Sequence, residues 1–241
     1  MDALLAKPLA LLPWPDWLAV LLFFAGWSGY ARFAKRRSRV KPSILGCTNR
    51  WRGEWMWQTL GRDNRIVDAA VTQSLSASPA FFASTSILVV GGLLAALAGG
   101  GQASDLMREL PFTARTSVLV FDLKLGLLAA IFVYAFFRFT WSMRQYSFGA
   151  VLVGAAPPPE ALDAATRDRF AQRAGQVMGL AAETFNDGLR ACYLAFAAVA
   201  WFLSPWAFIA VTAGVIWVLY RREFHSEVLG ALADGLPPLR G

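Results

Sequence analysis

The sequence has very few residues of the kinds that carry out chemistry. It contains one histidine and two cysteines in 241 residues. One histidine cannot form the His/Cys cluster of a zinc site or the axial pair of a haem, and two cysteines cannot build a disulfide framework. The sequence also lacks a phosphate-binding glycine loop, a Gly-x-Ser-x-Gly elbow and a metalloprotease helix motif. It therefore predicts no catalytic residue, no metal site and no cofactor.

Charged residues are scarce as well. They make up 16% of the chain, whereas about 25% is usual for soluble domains. Hydrophobic residues account for 56%. This balance argues against a soluble domain and favours an integral membrane protein.

The positive charge that the chain carries is concentrated after the first long apolar run. Ten of the 23 Lys and Arg residues lie between Arg32 and Arg65, opposed only by Glu54 and Asp63, so this basic segment has a charge of +8 while the whole chain has +7. Such a cluster beside an apolar segment is typical of a cytoplasmic face. A basic chain can also bind nucleic acid, but a cluster beside a span favours anionic lipid head groups.

The hydropathy pattern predicts an all-α, multi-pass transmembrane helical bundle with five spans, in a single membrane domain over 1–227. The spans are 17–33, 78–99, 117–139, 184–203 and 205–220. Ser78-Pro79 is typical of a helix start, a short outer loop is expected over 102–116, and an amphipathic cytoplasmic helix over 160–180. Residues 228–241 are predicted to be a flexible tail.

Two interpretations of the last apolar region stay open. The region 189–220 exceeds the ~20 residues of one span and is interrupted by Ser204-Pro205, where Pro can end one helix and begin the next. It is either one Pro-kinked span or a tight helical hairpin. The hairpin returns Arg221 and Arg222 to the cytoplasm, in line with the positive-inside rule, and we predict it.

The order of charges around the first span sets the direction of the chain. Basic residues follow this span, whereas a signal peptide has them before its apolar core. We therefore predict an uncleaved protein of the bacterial inner (plasma) membrane, with its N-terminus outside and its C-terminus in the cytoplasm.

Polar residues within spans are functional hypotheses by default. Glu183, Asn186, Asp187 and Arg190 share one helix face at i, i+3, i+4 and i+7, and Arg190 can pair with the two residues one turn back. The patch either neutralises itself to fix packing or forms a pocket for an ion or a lipid head group. Lys124 is expected to extend its stem outward, and an ion path through it would need a carboxylate from another helix.

A basic segment with tryptophans can lie in the interface plane of an anionic leaflet as an interfacial helix. The predicted lipid contacts are Arg36, Arg37, Arg50, Arg52, Trp51 and Trp55. The two cysteines, Cys47 and Cys192, are expected to be unpaired, since a cytoplasmic thiol stays reduced.

Several stretches carry a family resemblance. They are Asn64-Arg65-Ile66-Val67-Asp68, Phe81-Phe82-Ala83-Ser84-Thr85, Phe137-Arg138-Phe139-Thr140-Trp141-Ser142-Met143-Arg144-Gln145-Tyr146, Phe185-Asn186-Asp187-Gly188-Leu189-Arg190 and Tyr220-Arg221-Arg222-Glu223-Phe224. Over most of the chain from Trp51 to Phe224, the sequence resembles the uncharacterised membrane proteins of bacteria and plants known as domain of unknown function 599. The resemblance implies a multi-pass membrane protein and supplies no activity or substrate.

Two functions are therefore weighed. The first is a non-enzymatic accessory or scaffolding protein whose basic face binds anionic membrane lipids. The alternative is a small transporter or channel for an ion or a lipid-like solute. A homo-oligomer or a partner membrane protein is compatible with both, and nucleic acid is not an expected partner.

Overall fold

The computed structural model describes residues 12–38, 40–99, 117–158, 160 and 163–236. In that part of the chain every regular element is a helix, which confirms the all-α prediction. The helices are α1 (Trp14–Arg37), α2 (Ile44–Thr59), α3 (Ile66–Ala98), α4 (Val118–Gly154), α5 (Ala164–Ala200), α6 (Pro205–Phe224) and α7 (Glu227–Ala233). The outer loop expected over 102–116 lies outside the described residues.

Three helices, α1, α3 and α4, are long and apolar enough to cross a membrane, with mean hydropathies of 1.2, 2.1 and 2.1 over their apolar windows. They correspond to the first three predicted spans, and they make the chain compatible with a membrane protein. Helix α3 has 33 residues and α4 has 37, which at 1.5 Å per residue gives roughly 50 and 55 Å. Both exceed the ~30 Å hydrocarbon core.

The helix start predicted at Ser78-Pro79 is wrong. Helix α3 begins at Ile66, and Pro79 lies fully buried inside it. The side chain of Asn64 accepts a hydrogen bond from the Ile66 amide at 2.9 Å and so caps the true start. No Gly or Pro interrupts residues 66–77. A proline inside a helix removes one hydrogen bond, which helices of membrane bundles tolerate.

The predicted cytoplasmic helix 160–180 and the fourth span 184–203 belong to one helix. Helix α5 runs without a break from Ala164 to Ala200. The residues that join the two predicted segments, Ala181 to Thr184, include no helix breaker, and Ala and Glu are among the best helix formers. The backbone of α5 is therefore continuously helical from the predicted cytoplasmic segment into the predicted fourth span.

The chain forms two compact units. Unit 1 contains the described parts of Met1–Lys35, Ser86–Tyr134 and Arg190–Leu219. Unit 2 contains the described parts of Arg36–Thr85, Ala135–Leu189 and Tyr220–Gly241. The prediction of a single domain over 1–227 stays a prediction.

In unit 1 the contacts between α1 and α6 follow the same order along both helices. The Trp14 ring lies 6.2 Å from that of Trp206, and the Phe23 ring lies 5.0 Å from that of Phe208. Farther along α1, a Cβ added at Gly26 would meet the side chain of Ile216 at 2.7 Å. Helices α1 and α6 therefore run in the same direction.

The final turns of α5 run against α1. Arg190 is the first residue of α5 that belongs to unit 1. Its guanidinium carbon lies 5.7 Å from the ring centre of Tyr30. Eleven residues later Trp201 donates its indole N–H to Asp16, near the start of α1. Since α5 is antiparallel to α1 and α6 is parallel to it, the chain reverses direction at 201–204. The Ser-Pro break separates two antiparallel helices and does not kink one helix.

In unit 2, α2 crosses α5 at two glycines. A Cβ added at Gly175 would lie 2.8 Å from the Cα of Gly53, so the two backbones are in contact. Small residues permit this approach. The surrounding core contains Met56, Leu60, Tyr146, Val153, Ala156, Ala171, Ala174, Met178 and Ala181. Cys47 is buried in α2, and both it and Cys192 are free thiols, as predicted.

A short helix, α7, occupies part of the predicted tail. It packs on α2, where the indole N–H of Trp51 donates to the Leu232 carbonyl at 3.1 Å. Ser226 caps α7 by accepting from the Leu229 amide at 3.2 Å. Residues 237–241 lie outside the described part of the chain.

The contact between Gly53 and Gly175 predicts that a methyl group added at this crossing destabilises the protein. Gly175→Ala should lower the free energy of unfolding by about 1–3 kcal/mol, because the methyl group meets backbone that cannot rotate away. Gly91→Ala is the matched control, since its Cβ would meet nothing within 4 Å and Ala is the better helix former. Thermal unfolding of the purified protein in detergent measures both. Equal stability of the two variants would contradict the described crossing.

Candidate functional site

The residues predicted to contact lipid differ in how exposed they are and in how many contacts they make within the protein. Arg36 is exposed, and Trp51 keeps 39% of its surface exposed while its indole N–H is bonded to α7. The guanidinium carbon of Arg37 lies 5.6 Å from the ring centre of Phe224 and 6.0 Å from that of Tyr220. Arg36 and Trp51 thus present surface to the surroundings, whereas Arg37 stacks on aromatic rings of the same unit.

Arg52 and Trp55 are bonded within the protein. Arg52 donates to the side chains of Thr48 at 3.1 Å and Asn49 at 2.8 Å. Burial lowers the pKa of Arg52 from its ordinary value, because a charged guanidinium loses hydration inside the fold. Trp55 donates its indole N–H to the carboxylate of Asp68 at 2.6 Å. These two side chains contribute to packing in unit 2.

Asp68 is the centre of a hydrogen-bonded cluster. It is fully buried, and one of its carboxylate oxygens accepts from Trp55 at 2.6 Å, Thr59 at 3.0 Å and Arg62 at 2.5 Å. A buried carboxylate is costly unless it is paired and hydrogen-bonded. Three donors, one of them a guanidinium, stabilise this oxygen, while the second carboxylate oxygen is buried without a hydrogen-bond partner among the described residues. Asp68 therefore ties the C-terminal end of α2 to the first turn of α3.

Arg65 extends the same connection. It donates to the backbone carbonyls of Ala156 and Pro157, the latter at 2.8 Å. These carbonyls follow α4 in a proline-rich link where no helix supplies a donor. Together with Asn64 and Asp68, Arg65 gives the stretch Asn64-Arg65-Ile66-Val67-Asp68 a structural role, because it joins α2, α3 and the link after α4.

The residues of the predicted intramembrane patch have different surroundings in the structure. Asp187 accepts a charged hydrogen bond from Arg138 of α4, with both side chains 31% exposed. Arg190 faces the Tyr30 ring in unit 1, and Asn186 is partly buried. Glu183 lines a cleft between α2 and α5.

Lys124 does not extend to the outer surface as expected. Its side chain is buried, with 1% of the residue exposed. The ammonium group donates to the backbone carbonyl of Trp201 at 2.9 Å and lies 5.3 Å and 5.9 Å from the ring centres of Trp201 and Phe202. Trp201 follows the last residue of α5, where a carbonyl has no helical donor. A cation suits this negative end of the helix.

A carboxylate from another helix lies close to Lys124. Asp16 of α1, 6% exposed, accepts the indole N–H of Trp201 at 2.6 Å and acts electrostatically on the Lys124 ammonium. Lys124, Asp16 and Trp201 form what we term the Lys124 cluster. Each polar group in it has a partner, as buried ionisable groups in membrane proteins require. The cluster fixes the turn at 201–204.

A polar cleft lies between α2 and α5, with a volume of about 510 Å³. Its polar lining consists of Asn49, Arg50, Glu54, Asp168, Gln172, Gln176 and Glu183. Trp57 bridges the two helices by donating to Asp168 at 2.9 Å. The described lining includes no His, Cys, Ser or Lys. The described residues also form no group of three or more His, Cys, Asp or Glu positioned for a metal ion.

Sequence reasoning missed the residues that hold these clusters together. The sequence indicates no partner for Asp16, and Asp68 and Arg138 stand out in it only as parts of the matching stretches. Trp201 was not distinguished from other aromatic residues. One signal was available, because an acid or a base among apolar residues needs a partner. The identity of each partner depends on which helices are neighbours, and the spacing within one helix does not carry that information.

The Lys124 cluster predicts coupled stability effects. Lys124→Met should leave the Trp201 carbonyl without its donor and lower the melting temperature, whereas Lys41→Met, at an exposed position, should not. The double variant with Asp16→Asn and Lys124→Met should lose less free energy of unfolding than the two single variants lose in sum. The expected coupling is about 0.5–3 kcal/mol. Thermal unfolding in detergent gives the four values of this cycle, and strict additivity would contradict a coupling of Asp16 and Lys124 through Trp201.

Comparison with known proteins agrees with the resemblance in the sequence. Neither the curated proteins nor the solved structures include a match to this chain. A protein-family model matches residues 18–228, which is most of the chain and includes every residue of the Lys124 cluster except Asp16. The chain belongs to the family described as protein of unknown function, DUF599.

Proposed function

We propose that this protein is a non-enzymatic inner-membrane protein with five spans, an accessory or scaffolding module whose basic segment binds anionic lipid. The reversal of the chain at 201–204 carries the topological part of the proposal. It supports a hairpin of α5 and α6 in place of a single kinked span. The exposed charge of the basic segment carries the lipid part.

The length of α6 supports its assignment as a fifth span. The helix has 20 residues, or about 30 Å at 1.5 Å per residue. Its apolar part, 205–220, covers about 24 Å of this length, and the charged last turn extends it to the thickness of the ~30 Å hydrocarbon core. The sequence alone placed the limb over 205–220, which is shorter than the core. Arg221 and Arg222 occupy the last turn of α6, where cations suit both the helix end and a cytoplasmic interface.

Reporter fusions test this topology. A reporter placed after residue 236 is expected in the cytoplasm, and one placed after Leu203 is expected outside, because the turn separates two antiparallel spans. Paired fusions to alkaline phosphatase and green fluorescent protein report the two compartments with opposite signals. A C-terminal reporter found outside would refute the hairpin and leave four spans.

The lipid part of the proposal rests on the members of the basic segment that present surface. Arg36 and Lys41 are exposed, and Trp51 lies on an exposed face of α2. Basic residues near an anionic leaflet contribute roughly 1 kcal/mol each, and an exposed indole suits the interface. Arg52 and Trp55 are left out of this binding, because the Arg52 Nη1 and the Trp55 indole N–H are bonded within the protein.

Charge removal at the exposed positions tests lipid binding. Arg36→Gln with Lys41→Gln should reduce retention of phosphatidylglycerol and cardiolipin, by about fivefold in affinity for each residue. Arg169→Gln with Arg173→Gln removes the same charge from exposed positions of α5 and is the matched control. Native mass spectrometry counts the retained lipids. Equal retention by the two double variants would refute a dedicated role of the basic segment.

The alternative, a small transporter or channel, has weaker support. Two of its candidate groups are bonded to other parts of the protein, since Asp187 bonds to Arg138 and Lys124 bonds to the Trp201 carbonyl. Such pairing favours a structural role for them. Liposome flux that is lost on Arg190→Ala would reverse this preference.

A further inference from the structure

An apolar groove lies between α1 and α4 in unit 1. Its volume is about 510 Å³, within the roughly 300–1,000 Å³ of typical ligand pockets. Most of its lining is formed by Phe24, Trp27, Ala31, Leu127, Ala130 and Ile131. The lining also includes Ser28, Tyr134 and Arg32. We term this the aromatic groove.

Ring contacts hold the wall of the groove in shape. The rings of Phe24 and Trp27 are parallel to within 3°, with centres 6.4 Å apart. Trp27 meets Tyr134 of α4 edge to face at 5.5 Å. Aromatic pairs in these arrangements are mutually attractive, so the two helices present an ordered surface. Phe24 remains 48% exposed and Tyr134 41% exposed.

The chemistry of the groove changes along α1. From Phe24 to Arg32 the helix rises about 12 Å, and the lining passes from aromatic rings through Ser28 to a guanidinium group. Arg32 is exposed and begins the basic segment. An occupant that satisfies both parts must therefore be apolar along its length and anionic at one end.

We propose that the aromatic groove binds one anionic phospholipid, with an acyl chain along the apolar wall and its phosphate at Arg32. The guanidinium group matches phosphate geometry and donates two parallel hydrogen bonds. This proposal rests on the proposed membrane insertion of α1 and α4, but it concerns a single saturable site and is separate from the diffuse charge of Arg36 and Lys41.

The groove can be filled from within. Ala130 lines it and is exposed, so Ala130→Trp places an indole in the space of the acyl chain. Leu88→Trp is the matched control, since Leu88 is 75% exposed on α3 in the same unit and does not line the groove. The two variants are purified from membranes containing phosphatidylglycerol, cardiolipin and phosphatidylethanolamine, and their melting temperatures are compared first.

Native mass spectrometry after stepwise delipidation gives the result. The unaltered chain and Leu88→Trp are expected to retain one phosphatidylglycerol or cardiolipin molecule, and Ala130→Trp to lose it at least fivefold. A lipid retained by Ala130→Trp, or a neutral quinone recovered in its place, would overturn the proposal. Should Ala130→Trp fail to fold, Ala31→Trp fills the same groove from α1.

Head-group selectivity separates this site from the basic segment. Arg32→Gln should keep one bound lipid but reduce the preference for phosphatidylglycerol over phosphatidylethanolamine about fivefold, and Arg32→Lys should restore part of it. An unchanged preference in Arg32→Gln would refute the phosphate contact. If Arg36→Gln with Lys41→Gln retains as much lipid as its control while Ala130→Trp loses one molecule, the basic-segment proposal fails and the groove stands.

Discussion

The hydrogen bond from Lys124 to the Trp201 carbonyl is the interaction on which the topology depends. Trp201 directly follows α5, and its carbonyl has no helical partner. The Lys124 ammonium satisfies that carbonyl, while Asp16 holds the indole of the same residue. A tryptophan held at both ends fixes where α5 stops and how α6 departs. The antiparallel arrangement of α5 and α6 in unit 1 therefore depends on this contact.

Much of the helical plan could be predicted from the sequence, because apolar length and charge asymmetry are local properties. The three helices that are long and apolar enough to cross a membrane lie at the first three predicted spans, and the Ser204-Pro205 break separates two helices. Local signals failed where a motif was ambiguous. Ser-Pro begins α6 at Pro205, yet a second Ser-Pro pair lies inside α3. The residues before each Ser-Pro pair make the difference. Residues 66–77 continue as a helix into the first pair, whereas the turn at 201–204 ends α5 before Pro205.

The partners of the polar residues could not be predicted, because they come from distant parts of the chain. Arg138 and Asp187 are separated by 49 positions, and Asp16 and Trp201 by 185. Intrahelical spacing predicts partners for Arg190 within its own helix, but it does not reveal that helix packing also brings Arg190 to the Tyr30 ring. The stretch Asn64-Arg65-Ile66-Val67-Asp68 illustrates the same limit. It was recognisable as a family feature, and only the fold shows that it connects three elements.

The burial of the native thiols affects how this protein can be labelled. A thiol reacts as its thiolate and needs access to the reagent. Cys47 is 2% exposed and Cys192 is partly buried, so neither competes well for a maleimide reagent in the folded protein. A cysteine introduced at an exposed position such as Arg36 or Arg169 becomes the preferred target. Single-site spectroscopic probes can therefore be attached while both native cysteines stay in place.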